Sequence, residues 1–161
     1  MPGNRLLPRK IRNDGQSGTI YMTNTVLVDS GFTIALFDPH DPLHDSAKKT
    51  LSNLNARLRT VWPVIVETSF FLGPKGKSSF LRWIERGAVT VRAIEITDID
   101  ALISILNRYA DQRIDLADAC LIWLAVQEKT HRVLTTDRRD FSVYRAPDGR
   151  PFERVWLTDE A

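Results

Sequence analysis

Short apolar runs and amphipathic stretches alternate along most of the chain, and each change of period marks a change of element. "TVLVD" (25–29) is a β-rich run with no polar interruption until its final acid, the pattern of a strand buried on both faces. "SGFTIALF" follows as a helix, and the two prolines of "DPHDP" (38–42) stop it. Leu43, Ala47, Leu51, Leu54 and Leu58 share one helical face, which predicts a helix over 43–58. "TVW" (60–62) reads as a brief strand, and Pro63 suits the first turn of a helix through "PVIVETSFFL". "GPKG" ends that helix, and "KSSFLRWIERG" forms another, closed by Gly87 just past its end.

The second half repeats the alternation. "AVTVRAI" (88–94) is a strand, and "TDIDALISILNRYAD" (97–111) an amphipathic helix with Thr97 as its cap. "DLADACLIWLAVQEKT" (115–130) is a strongly apolar helix, "HRVLTTD" (131–137) a strand that again ends on an acid, and "FERVWL" (152–157) a last strand. Strands separated by helices predict an α/β domain built on a small, mainly parallel sheet.

Before Met22 the pattern fails. Residues 1–21 carry Pro2, Gly3, Pro8, Gly15 and Gly18 with no apolar period, and read as a disordered extension or as sequence upstream of a true start at Met22. The folded domain is therefore expected over 22–161. This tail also explains the charge. Of the formal net charge of +2, Arg5, Arg9, Lys10 and Arg12 against Asp14 supply more than all, leaving 18 Lys and Arg against 19 Asp and Glu. Global charge alone thus gives no argument for a nucleic-acid partner. With 43% apolar and 26% charged residues the chain has the composition of a soluble globular protein. No apolar stretch reaches the ~20 residues that span a bilayer, and the basic start has no apolar run behind it. The single Cys120 excludes an intramolecular disulfide and fits a reducing cytoplasm.

Four acids stand where acids are expensive or well placed for ligands. Asp29 and Asp137 each close a strand at its C-terminal end, the edge where ligand sites gather in open α/β sheets. Glu67 interrupts the apolar "PVIVETSFF", and Asp118 opens the apolar "DLADACLIWLA". Each has a structural alternative: Asp29 as a helix cap, Asp115 as an N-cap with Asp118 at the third helical position, Asp137 in a turn with Arg138 and Arg139, and Glu67 in a salt bridge. If the four meet, carboxylates so bunched call for a cation. Oxygen-only ligands select Mg²⁺ or Mn²⁺, and a metal so held supports phosphodiester hydrolysis.

The ordered set "VLVDSG", "PVIVETSF", "DLADACLIWLA" and "VLTTDRRDF" resembles the PIN-domain family, and within it is similar to the VapC ribonuclease toxins of toxin–antitoxin pairs. The resemblance runs from about Thr25 to the last strand. It implies a three-layer α/β/α sandwich and an endoribonuclease dependent on Mg²⁺, with Mn²⁺ able to substitute. Asp29, Glu67, Asp118 and Asp137 match the family's four acids, the catalytic and metal-binding set. Ser30 and Thr135 or Thr136 match its hydroxyls, with Asp115 and Asp140 as further acids at the rim. It also implies an RNA substrate, a VapB-like antitoxin and a homodimer.

Other features carry less. Lys75 and Lys77 in "GPKGKSS" lack the spacing of a phosphate-binding loop, and are read either as RNA guides or as a solvated turn. Arg138 and Arg139 are better placed for phosphates, with surface solubility the alternative. His40 and His44 stand four residues apart, but Pro39 and Pro42 interrupt any helix there, so they make a poor zinc pair. Trp83, Trp123 and Trp156 fall in apolar periods, and Cys120 reads as a buried small hydrophobe. Competing functions on the same residues are a PIN-type RNA-processing nuclease, a non-catalytic binding module whose acids engage arginines, and a phosphoryl-transfer protein. Against the last, Gly31 stands where a second Asp is needed.

Overall fold

A computed structural model describes residues 24–158. The expected extension over 1–21 and the alternative start at Met22 lie outside them. Strand β1 (Thr25–Val28) is wholly buried and forms the centre of the sheet. It is followed by helices α1 (Ser30–Phe37) and α2 (His44–Asn53), strand β2 (Arg57–Val61), helices α3 (Trp62–Phe71) and α4 (Pro74–Glu85), and strand β3 (Thr90–Arg92). A short 3₁₀ turn leads into α5 (Ile99–Arg108), then α6 (Leu116–Glu128), β4 (Arg132–Leu134), α7 (Arg138–Val143) and β5 (Glu153–Arg154). The strand order is β3-β2-β1-β4-β5, with all four neighbouring pairs parallel.

Alternation along the strands sends side chains to two separate cores. Leu27, Val61 and Val133 join Leu102 of α5, the apolar stretch of α6, and Phe141 and Tyr144. Val26, Val28, Leu58 and Leu134 join Phe32, Ala35 and Leu36 of α1, Ala47 of α2, and Trp156. Helices therefore cover both faces of the sheet, the expected three-layer α/β/α arrangement. The tryptophans behave as core residues where they are buried. Trp156 meets Phe32 edge-on at 4.9 Å and donates its Nε1–H to Ser46 Oγ at 3.0 Å.

Several boundaries differ from the sequence reading. Strand β2 runs over Arg57–Val61 with Trp62 already in α3, and β3 and β5 are shorter than read. Strand β4 stops at Leu134, short of Asp137. The helix expected over 43–58 ends at Asn53, and Leu58 belongs to β2, paired with Val26. Leu58 continued the helical spacing by coincidence; burial in the sheet decided its conformation. "GPKG" starts a helix rather than ending one, with Gly73 as the cap of α4 and Pro74 in its first turn. Thr97 does not cap. Glu95 and Asp98 form a reciprocal capping box around the 3₁₀ turn instead. Gly87 does take the left-handed conformation expected just past a helix end, at φ 79°.

Candidate active site

Because the sheet is parallel, β1 and β4 deliver the residues after them to one edge. Asp29 N–H donates to Leu134 C=O at 3.0 Å, so the acid is fixed as the next rung of the ladder. It is only 6% exposed. Its Oδ1 accepts from the Ser30 N–H at 2.7 Å, with the Ser30 hydroxyl at 3.5 Å, and its Oδ2 accepts from Thr135 Oγ1 at 2.6 Å. Thr135 is fully buried, and the same hydroxyl accepts from the Asp137 N–H at 2.9 Å. One hydroxyl therefore ties the acid after β1 to the acid after β4.

Asp137 caps α7, its Oδ1 accepting from the Asp140 N–H at 2.8 Å. Asp118 is placed by the start of α6, where the Asp115 N-cap accepts its backbone N–H at 2.8 Å. The cap reading of Asp115 thus holds, and it aims Asp118. Tyr144 O–H donates to Asp118 Oδ2 at 2.9 Å. Glu67 lies half-buried on α3, beside the buried Thr68, whose hydroxyl meets Thr33 of α1 at 2.7 Å.

The four acids feel one another. Burial drives Asp29 up from 3.8 to about 6; the bonds from Thr135 and Ser30 oppose this, while the charges of Glu67 and Asp137 add to it. Burial likewise pushes Asp118 to about 8, helped by the charges of Asp29, Asp115 and Asp137 and opposed by the Tyr144 hydroxyl. Asp140 is raised by desolvation and by Asp137. The structure brings Asp29, Glu67, Asp118 and Asp137 into one electrostatic group, with Ser30, Thr135, Asp115 and Asp140 around it. Among the described residues no three Asp, Glu, His or Cys side chains stand close enough together to share a metal ion as the side chains are placed. The donor set still fits a hard divalent ion, which bonds to oxygen and keeps several waters of its own. The raised proton affinities come first from burial and second from the neighbouring carboxylates, and a bound cation would offset both.

Thr136 is exposed but packs on Gly31: a Cβ at Gly31 would lie 2.0 Å from Thr136 Oγ1 and 3.1 Å from its Cβ. Arg138 and Arg139 follow Asp137 on the exposed side of α7. Lys75 and Lys77 start α4, which abuts the far end of α1 where Gly76 faces the Phe37 carbonyl. That end lies ~12 Å along the helix from Asp29. The two lysines are not brought to the acids. His44 Nδ1 is engaged with the Ala35 carbonyl oxygen at 2.8 Å, and His40 is exposed. Burial raises the Cys120 thiol to about 11, consistent with an inert side chain. Tyr144, the packing of Gly31 on Thr136, and the Thr33–Thr68 pair escaped the sequence reading. Each matters through a tertiary partner, and none sits in a pattern that would announce it.

The sequence profile of the PIN domain matches residues 26–147. The chain belongs to the PIN domain family. Among PIN relatives, Ribonuclease VapC26 of Mycobacterium tuberculosis is 30% identical over 132 residues, 79% of this chain and 97% of that protein. The crystal structure of Mycobacterium tuberculosis VapC20, a sarcin–ricin loop cleaving toxin, superposes with a TM-score of 0.65 at 19% identity. It covers 71% of this chain and 91% of that one, so the PIN fold is shared across the sandwich. No helix among the described residues is long and apolar enough to cross a membrane.

Proposed function

We propose that this PIN domain is an endoribonuclease that hydrolyses RNA phosphodiester bonds with a divalent cation, Mg²⁺ or in its place Mn²⁺, and serves as the toxin of a VapBC-type pair. The observation that carries the reading is the coupling of Asp29, Glu67, Asp118 and Asp137 at one sheet edge, in a chain similar to a VapC ribonuclease over most of its length. Those four residues would hold the cation, which supplies water activation and charge neutralisation at the phosphate. Thr135 and the Ser30 N–H orient both oxygens of Asp29. Tyr144 fixes Asp118 Oδ2, and burial together with the neighbouring acids raises the proton affinity of that carboxyl.

An antitoxin partner and a cytoplasmic site of action belong to the same reading. Its homodimer is supported by an unpartnered stripe on α3, where Trp62, Val66 and Phe70 are 55%, 51% and 78% exposed at four-residue spacing. The test is direct. Purified protein should cut RNA with Mg²⁺ or Mn²⁺, and Asp29→Asn or Asp118→Asn should lower cleavage ~100-fold or more, because each removes a charged oxygen from the set that would hold the cation. Equal activity in the variants would end the reading. Toxicity on induced expression, relieved by Asp29→Asn, separates a toxin from an RNA-processing enzyme.

A further inference from the structure

Next to the acids lies a second cleft of about 530 Å³, lined by Asp111, Gln112, Arg113, Arg139, Asp140 and Val143. Its volume falls within the ~300–1,000 Å³ usual for small-ligand sites. It abuts the acidic group directly, because Asp140 donates its backbone N–H to Asp137. Arg113 projects from the connection between α5 and α6 and holds a left-handed conformation, φ 54°, that a non-glycine residue rarely keeps. No hydrogen bond or ion pair engages its side chain among the described residues. Arg139, on α7, also lines the cleft, and its charge acts on Asp140.

The lining is mixed: two guanidiniums, two carboxyls and an amide. That balance does not favour a bare phosphate, but it does match a nucleobase edge. A guanidinium fork fits a pair of acceptors such as O6 and N7 of guanine. A carboxylate accepts from paired donors, which guanine presents on its other edge as N1–H and N2–H₂. Guanine alone among the four RNA bases offers both a two-acceptor and a two-donor edge. Proteins read RNA in this way when bases are unstacked in loops, with arginine planes also available for stacking.

We propose that the Arg113–Arg139 cleft binds one unstacked guanine nucleotide flanking the cut, and so sets the sequence preference of the nuclease. The proposal rests on the nuclease reading for its substrate, and the test separates the two. Wild type, Arg113→Gly and Arg139→Ala are each given a hairpin library randomised in the loop, and the cut products are sequenced. Glycine is chosen at 113 because it keeps the left-handed backbone without strain. Wild type should favour guanine over other bases about tenfold at one position beside the cut, and each variant should flatten that preference. Each variant should still cut the library, and should cut the preferred hairpin no faster than wild type cuts hairpins without that guanine. Cleavage without guanine preference, or preference untouched by both substitutions, overturns the cleft assignment while the nuclease stands. If wild type cuts no RNA, titration with GMP and AMP decides: tighter GMP binding, weakened by Arg113→Gly, upholds the cleft although the nuclease reading has failed. Equal or absent binding of the two overturns it.

Discussion

Replacing Asp118 by Asn should make the metal-free protein more stable, although the residue sits among the acids of the site. The Asp118 carboxyl titrates at about 8 instead of 3.8 because it is desolvated and surrounded by Asp29, Asp115 and Asp137. At ~1.4 kcal/mol for each tenfold in proton affinity, the ionised form strains the fold by at most ~6 kcal/mol. Solvent reaches part of the carboxyl, and the repulsion is shared among several acids, so about 2 kcal/mol is the expected gain. The amide keeps the main contact, since an Asn oxygen still accepts the Tyr144 O–H and the Asp115 cap bonds only backbone. Protonation favours the folded state here. The wild-type penalty is absent below pH ~4, grows as pH rises, and is complete above pH ~8. Urea unfolding in chelator at pH 5 and pH 8 measures it. The Asn variant should exceed wild type by about 2 kcal/mol at pH 8 and by about 1.5 kcal/mol at pH 5, because most of the penalty accrues once pH passes the unfolded carboxyl's ordinary range. A variant equal to or weaker than wild type at pH 8 would refute the electrostatic argument.

Two further substitutions probe how the acids are held. Gly31→Ala drives a methyl against Thr136 and displaces the segment that carries Asp137; a loss of about 1–3 kcal/mol in thermal or chemical unfolding, with reduced RNA cleavage, is expected. An unchanged stability and activity would show that Thr136 yields freely. Thr135→Val keeps the shape but removes the donor to Asp29 and the acceptor for Asp137 N–H, at about 1–3 kcal/mol for the groups left unpaired. Thr135→Ser should restore most of this in the same unfolding assay, and failure of that rescue would mean that packing rather than hydrogen bonding is at stake.

The sheet and its helices were legible because their signals are local. Between Thr25 and Asp29, "VLV" has no polar residue to place on a solvent face, and the prolines and glycines around α3 and α4 mark the breaks. Leu58 misled because a leucine four residues after Leu54 satisfies a helical face as well as a strand, and only pairing with β1 chooses between them. Asp29 and Asp137 could be singled out since a strand end locates an acid along the chain and on the sheet edge together. Tyr144 could not, because its tie to Asp118 spans 26 residues and depends on how α7 folds back on α6. Arg113 likewise gains meaning only from the cleft it shares with Arg139.

Nuclease chemistry at this site requires a divalent ion shared by side chains far apart in sequence. Crystals soaked in Mn²⁺ and measured for anomalous scattering address this without reference to activity. A peak within coordinating distance of Asp29 and Asp118 oxygens, lost in the Asp29→Asn protein, is the predicted result. Manganese found only elsewhere, or none at millimolar concentration, would contradict it.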